Sequence, residues 1–591
     1  ILAGQTDANG ISIGANALSL NAAGDLRDGK GNAADLSTPA VADQSNAIVV
    51  DPVTAALAVI QAYAQDNTDP QNLVNTNAPT IQTYQAAGVT GVDYNHLESF
   101  NNALATSAID AGDVDTTNKV QTLLDAYESI LQAANGVDDK GTGANPAWSA
   151  YLTLGLTGLD TQKYADLLGD VIDVRVSSEV DTVGKLQRLG QAVNVVMRAA
   201  SQAAVPVRAD FEALGVKGVS DDNLMAVNKA IAATDDDGSG ISTLNALQAV
   251  VTAAKIAAEE GLRVIGAYAQ ANAGNAPSVS DYVRAGVDGV NDGNLAAINS
   301  ALASAMVTAA EVDTSAKVRA LVGTYNRILQ LADGRPNNGE HIVAAPEYAL
   351  IGVSGIDQAS KAALLANVID GKAGTAVDNV SKIQSLADAV AAVVSAASGG
   401  FSPTVGQLQE LGIRGATTGN LPDVVAALTA SADDGSEVDT QAKLQAVVNT
   451  GVTRAKANAL GVIGAYADSN AGTVPTLTDY ANADISGVSA DNLASVNSAL
   501  ASAGVAGTDV NTSDKVQALV NAWVSILALA DGQDNLPTVS NPAAVAYGLI
   551  GVTGVDSAVQ ASLLGDVLDK KNQAEVDTVV EIQPLANAAA A

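Results

Sequence analysis

What most constrains this chain is that it repeats at two scales, around glycines that hold their places. Val59-Ile60-Gln61-Ala62-Tyr63-Ala64 returns almost unaltered at Val264–Ala269 and again at Val462–Ala467. Inside that coarse period lie three shorter units, each marked by a proline a few residues before an aromatic residue or leucine. The prolines are Pro79, Pro146, Pro206, Pro277, Pro346, Pro403, Pro475 and Pro542. Pro79 to Pro277 and Pro277 to Pro475 each span 198 residues. A unit is therefore roughly 65 residues, and the order is a-b-c-a-b-c-a-b. In such an array neighbouring units bury each other's apolar surface.

Each unit reads as three helices. The proline opens the first, where its missing N–H costs nothing. That helix ends in a Gly-Val-x-Gly-Val turn, seen as Gly88-Val89-Thr90-Gly91-Val92 and Gly551-Val552-Thr553-Gly554-Val555. The first glycine sits where a left-handed residue terminates a helix, and only the seventh unit replaces it, with Asp484. The second glycine (Gly91, Gly158, Gly218, Gly289, Gly355, Gly415, Gly487, Gly554) is present in all eight units. Such fixity points to a backbone demand, either positive φ or close helix approach. The second helix carries apolar residues at helical spacing, as in Asn294–Leu302. Asp115, Asp181, Ser242, Asp313, Asp378, Asp439, Asn511 and Asp577 share one position before the third helix and are preferred cap types. Helices of about 15 residues are marginal alone, so the three must pack. The expected fold is mainly α, a tandem array of three-helix bundles.

Composition decides what the surface can meet. With 29 basic against 64 acidic residues the formal charge is −35. Nucleic acid and anionic membranes both select a basic footprint, so neither is an expected partner. Hydrophobic residues reach 48% but aromatic residues only 3%, so the cores rest on Ala, Val, Leu and Ile. There is no cysteine, which removes disulfides, thiolate nucleophiles and cysteine-based metal sites. No stretch approaches 18 uninterrupted apolar residues. The start, Ile1-Leu2-Ala3-Gly4, lacks the pattern of a signal peptide. The expectation is an internal piece of something longer, or a chain exported by a C-terminal signal.

The helix ending in Ala-Gly-Val, the short second helix and the third helix led by Val-Asp-Thr resemble the GA-like modules of bacterial surface proteins, over residues 77–591. Some GA modules bind serum albumin, but no motif here carries that activity over. The first fifty residues differ. Ile11-Ser12-Ile13 and Ala17-Leu18-Ser19-Leu20 alternate as short strands do. Leu26–Leu36 looks like the end of the bacterial Ig-like repeats of giant adhesins, so this segment is a small β unit holding the C-terminal part of such a domain. The expected boundaries are 1–52 for the Ig-like part and 53–76 for a connecting helix. The bundles follow as a1 (77–143), b1 (144–203), c1 (204–274), a2 (275–343), b2 (344–400), c2 (401–472), a3 (473–539) and b3 (540–591). The resemblance implies a non-catalytic structural segment of a bacterial extracellular adhesin, acting at the cell surface as a stalk or self-assembling filament in biofilm. Its partners would be copies of itself or neighbouring repeats of a longer chain. The alternative is a set of receptor modules for a host protein or surface.

Chemistry finds no foothold. His96 and His341 have no histidine at the equivalent positions of other units, and no partner travels with them. The glycine-rich turns lack the Lys-Ser or Lys-Thr of a phosphate loop. No enzyme activity and no organic cofactor are expected. Asp235-Asp236-Asp237-Gly238-Ser239-Gly240 is the one metal candidate, a weak calcium site on Asp235, Asp237 and Ser239. These are oxygen ligands at loop positions 1, 3 and 5, but position 12 is Ala246 instead of the bidentate Glu. A solvated turn ahead of a helix is the plainer account. Tyr84, Tyr151, Phe211, Tyr282, Tyr348, Tyr480 and Tyr547 hold one position, with Leu408 in the remaining unit. Since leucine substitutes there, packing is expected over a carbohydrate-stacking platform.

Overall fold

The computed structural model describes residues 14–20, 24–42, 51–65, 77–137, 145–272, 274–335, 343–469, 472–533 and 540–591. It is mainly α, with twenty-five helices and no strand among the described residues. Every repeat opens with a six-residue helix. The second helix has 8, 12 or 9 residues in a, b and c repeats, as in Leu97–Leu104, Gln162–Asp173 and Leu224–Ala232. The third has 17 residues in Thr117–Ala133 but 28 and 29 in the c repeats, Leu244–Ala271 and Gln441–Ser469. The helix Pro52–Gln65 packs on a1 much as Gln441–Ser469 packs on the first helix of a3, Leu477–Asn482. The chain divides into two compact units, 1–263 with 280–288 and 264–279 with 289–591.

Near the N-terminus, Ala17–Leu20 form no strand, and Ile11–Ile13 lie outside the described residues. One antiparallel bridge joins Arg27 to Ala33 around a turn in which Asp28 accepts the N–H groups of Lys30 and Asn32. Leu18, Leu20 and Leu26 are exposed, so this stretch builds no core of its own among the described residues.

The glycine turn is the same object eight times. Val89 donates its N–H to the carbonyl of Tyr84 at 2.9 Å, and Gly88 donates to Gln85 at 3.0 Å. This pair of bonds is the Schellman closure, which needs a left-handed residue just past the helix. The first glycine has φ from 71° (Gly286) to 81° (Gly551), and Asp484 follows with φ 61°. The second glycine is left-handed as well, from 83° (Gly355) to 96° (Gly91). A Schellman turn brings the residue three before its cap against the one just past the glycine. Those are the aromatic position and the following valine, isoleucine or, in b1, Leu156. Tyr84, Phe211 and Leu408 are fully buried, and so are Val89, Val216 and Ile413. The recurring aromatic residues are therefore core, as expected, and form no stacking platform.

Two sequence expectations shift by a residue or two. The third helix is capped one position later than expected, by Thr116, Thr182, Thr314 and Thr512, whose hydroxyls accept the N–H of Lys119, Lys185, Lys317 and Lys515. The aspartates of the preceding position are engaged by a lysine instead. In most repeats the landmark proline lies ahead of the cap of the first helix; Thr80, for example, caps Ile81–Ala86 with Pro79 before it. What Pro79 supplies is its carbonyl, which takes the amide of Asn101 at 2.9 Å, as Pro206, Pro277 and Pro475 do for Asn228, Asn299 and Asn497. Pro346 alone lies within the first helical turn.

The helix Val380–Ala397 is long and apolar enough to cross a membrane by length and composition. Its apolar face (Ile383, Leu386, Val390, Val393, Val394) is buried in the protein, while Lys382 and Gln384 make surface hydrogen bonds.

Substitution at the turn should show the backbone demand directly. A Cβ on Gly289 would sit 3.0 Å from Asn326 Nδ2 at a φ of 84°. Gly289→Val is expected to cost its repeat more than about 1 kcal/mol. Asp484→Gly should be tolerated, whereas Asp484→Val should cost as much as the valine at 289. Local hydrogen exchange across the affected repeat measures both.

Candidate functional site

In seven of the eight repeats the exposed side of the turn is held by a glutamine from the third helix. Five residues past the cap, Gln121 accepts the N–H of Thr90 at 2.9 Å and donates to the carbonyl of Thr90 at 3.0 Å. Thr90 is the residue just before the second left-handed corner, so its backbone groups point away from the helix ladder and need a partner. Gln187, Gln248, Gln384, Gln445, Gln517 and Gln583 clamp Thr157, Lys217, Ser354, Arg414, Ser486 and Thr553 in the same two-bonded way. In a2 the position is Arg319.

A lysine closes the other end. Lys119 pairs with Asp115 at 2.9 Å and donates to the carbonyl of Gly112 at 2.6 Å. Lys185, Lys317, Lys382 and Lys443 repeat both contacts, to Asp181, Asp313, Asp378 and Asp439 and to a carbonyl seven residues back. Being solvent-exposed, each ion pair is worth only a few tenths of a kcal/mol, about the value for neighbours on a helix surface. Their role is to fix how the chain enters the third helix.

A third lock lies under the turn. Asn223, Asn294, Asn420 and Asn492 donate to the carbonyl of the second glycine at 2.7–2.9 Å. In a1 the residue at that place is His96, at the cap of Leu97–Leu104. Its Nδ1 lies 3.4 Å from Asp93 and 3.9 Å from Glu128, whose carboxyl is pushed up by burial. His96 thus stands in a structural position. His341 lies outside the described residues.

Repeats are also capped by their predecessors. Asn102, in the second helix of a1, accepts the N–H of Val183 at the start of the third helix of b1, at 3.1 Å. Ser300 does the same for Val380 at 2.9 Å, and Ser498 for Val579 at 3.1 Å. From b to c, Asp170 accepts from Leu244 at 2.9 Å and Asn367 from Gln441 at 2.8 Å. A helix N-terminus leaves four N–H groups without intrahelical partners. Here the preceding repeat satisfies one of them, which sets the register between neighbours.

The calcium candidate is a closed turn. Ser239 donates its N–H to Asp237 at 2.9 Å and its hydroxyl to Asp235 at 3.1 Å. Lys163 of b1 pairs with Asp237, and that hydrogen bond holds the carboxyl well below its usual range. The three expected ligands are brought together, but the lysine already neutralises one carboxylate. Among the described residues no group of three or more His, Asp or Glu could hold a metal ion. A cleft of about 420 Å³ is lined by Ser300, Ser304, Gly352, Asn379 and Val380, and Ser300 spends its hydroxyl on Val380 within it.

No protein-family model, no curated protein and no solved structure matches the chain. The residues that recur with a polar job are the glutamine, lysine and asparagine locks. The first two stand at fixed offsets from the cap residue, threonine or, in b2, Asn379, a spacing visible in the sequence but silent about their bonds.

The cross-repeat cap yields a test. Asn102→Ala should cost about 1 kcal/mol, as loss of a helix cap does. The loss should appear as faster hydrogen exchange at the start of Val183–Ala199, in b1, and not only in the a1 helix that carries Asn102.

Proposed function

We propose that the chain is a non-catalytic structural repeat segment of a bacterial extracellular adhesin, working at the cell surface as a stalk or self-assembling filament. In this reading it is a tandem array of GA-like three-helix modules preceded by the C-terminal part of an Ig-like β unit. The observation that carries it is where the recurring polar side chains point. Gln121 and its counterparts bind the turn of their own repeat, and Asn102, Asp170, Ser300, Asn367 and Ser498 cap the helix of the next. Side chains that recur for a shared ligand would instead converge on an open surface. The Asp28 turn and its single bridge support the β segment. An acidic, cysteine-free chain of charge −35 suits an extracellular setting, where solubility comes from carboxylates and polar neutral residues.

A stalk bears load, so single-molecule pulling is the experiment. Repeats of roughly 65 residues at ~3.5 Å each should release contour length in successive steps on the order of 20 nm. Extension of the whole chain in one event would contradict a tandem array. Tight binding of the unstretched chain to a host serum protein would favour receptor modules instead.

A further inference from the structure

The three b repeats display one surface three times, and its exposure differs. Their second helices, Gln162–Asp173, Ala359–Asp370 and Ala558–Asp569, align without a gap. Leu167 and Leu364 are 0% exposed, whereas Leu563 at the same place is 50% exposed. On the third helix Leu189 and Leu386 are buried, and Leu585 is half-buried.

What covers the first two is visible. Asp170 and Asn367 cap the long helices of c1 and c2. Arg175 donates to the carbonyl of Ala213 and Lys372 to that of Glu410, each at the end of a c repeat's first helix. A side-chain oxygen, a carboxylate in b1 and an amide in b2, thus meets a helix N-terminus and a cation meets a helix C-terminus, the favourable sense for both dipoles. In b3 the same groups stand ready. Asp566 takes the amide of Asn541 at 2.9 Å, as Asp170 takes that of Asn145 at 2.9 Å. Its second oxygen corresponds to the one that caps Leu244 in b1. Lys571 pairs with Glu575 at 3.0 Å, as Arg175 pairs with Glu179 at 3.2 Å.

We propose that the face of b3 formed by Leu563, Asp566, Lys571 and Leu585 is a docking surface for a c-type repeat. The partner is a helical unit that offers a free helix N-terminal N–H to Asp566 and a helix C-terminal carbonyl to Lys571, and that covers Leu563. The inference rests on the repeat-array reading and adds a directional rule to it: a b face takes a c repeat.

The test fuses a copy of residues 196–272 after Ala591, which keeps phase because Ala591 holds the place of Val195. Hydrogen exchange is then compared between the extended and the original full chain. Amides of 558–590 should slow at least tenfold on extension, toward the rates of 162–194 in the same molecule. Leu563→Asp should abolish that gain in the extended chain and leave the original chain unchanged. Unchanged exchange at 558–590 overturns the proposal, whether or not the added repeat is itself protected. Self-association of the original chain, seen by light scattering and lost with Leu563→Asp, would overturn it too, because the occupant would then be a second copy. The pulling experiment remains independent, since it reads the repeats already present.

Discussion

Two left-handed corners within four residues set the terms for each repeat. At Gly88 and Gly91 the chain takes φ of 78° and 96°, conformations that side chains with a Cβ rarely adopt. The first corner ends a helix and folds the residue after it back onto the residue three before the cap, which joins Tyr84 to Val89 across the turn. The second corner aims the chain into the next helix. Between them Thr90 presents a backbone N–H and carbonyl with no helical partner, and Gln121 binds both. The glycines, the aromatic residue, the valine and the glutamine are therefore one device, and removing any of them leaves the rest strained or unpaired.

Coupling between repeats uses the same economy of short polar contacts. The single hydrogen bond that Val183 donates to Asn102 contributes only about 1 kcal/mol. Its value lies in direction, because a helix N-terminus capped from the preceding repeat can face only one way. Core packing then adds to that orientation where a third helix also supports the first helix of the next repeat, as Val183–Ala199 supports Arg208–Ala213. The b-to-c junction has the richest set of such contacts, with a leucine, a carboxylate or amide, and a cation in each copy.

Much of this was legible in the sequence, for physical reasons that differ by residue. The second glycine, which never varies among variable neighbours, marks a backbone demand, and Asp484, standing where the other repeats have the first glycine, enters the left-handed region itself. Leucine at 408 announced that the aromatic position is core. The caps were displaced by one residue because Asp and Thr are both good cap types and adjoin each other in Val-Asp-Thr. The tie is broken by Lys119, which draws Asp115 away, and no local preference reveals that. The glutamine clamp was missed because an exposed Gln on a helix looks like any solvated residue until the turn beside it is known. The calcium candidate had suitable oxygens, but Lys163 comes from 74 residues away and only the fold places it on Asp237.

The most direct test of the turn as the organising device is native-state amide hydrogen exchange of the full chain, read at the residue between the two corners. Thr90, Thr157, Lys217, Ser354, Arg414, Ser486 and Thr553 lie in short, exposed turns, where unbonded amides exchange freely. Bound by glutamine, their amides should exchange nearly as slowly as those of the helices they join. Gln121→Ala should return the Thr90 amide to fast exchange and leave the other six slow. Fast exchange at all seven amides in the unaltered chain would contradict the account.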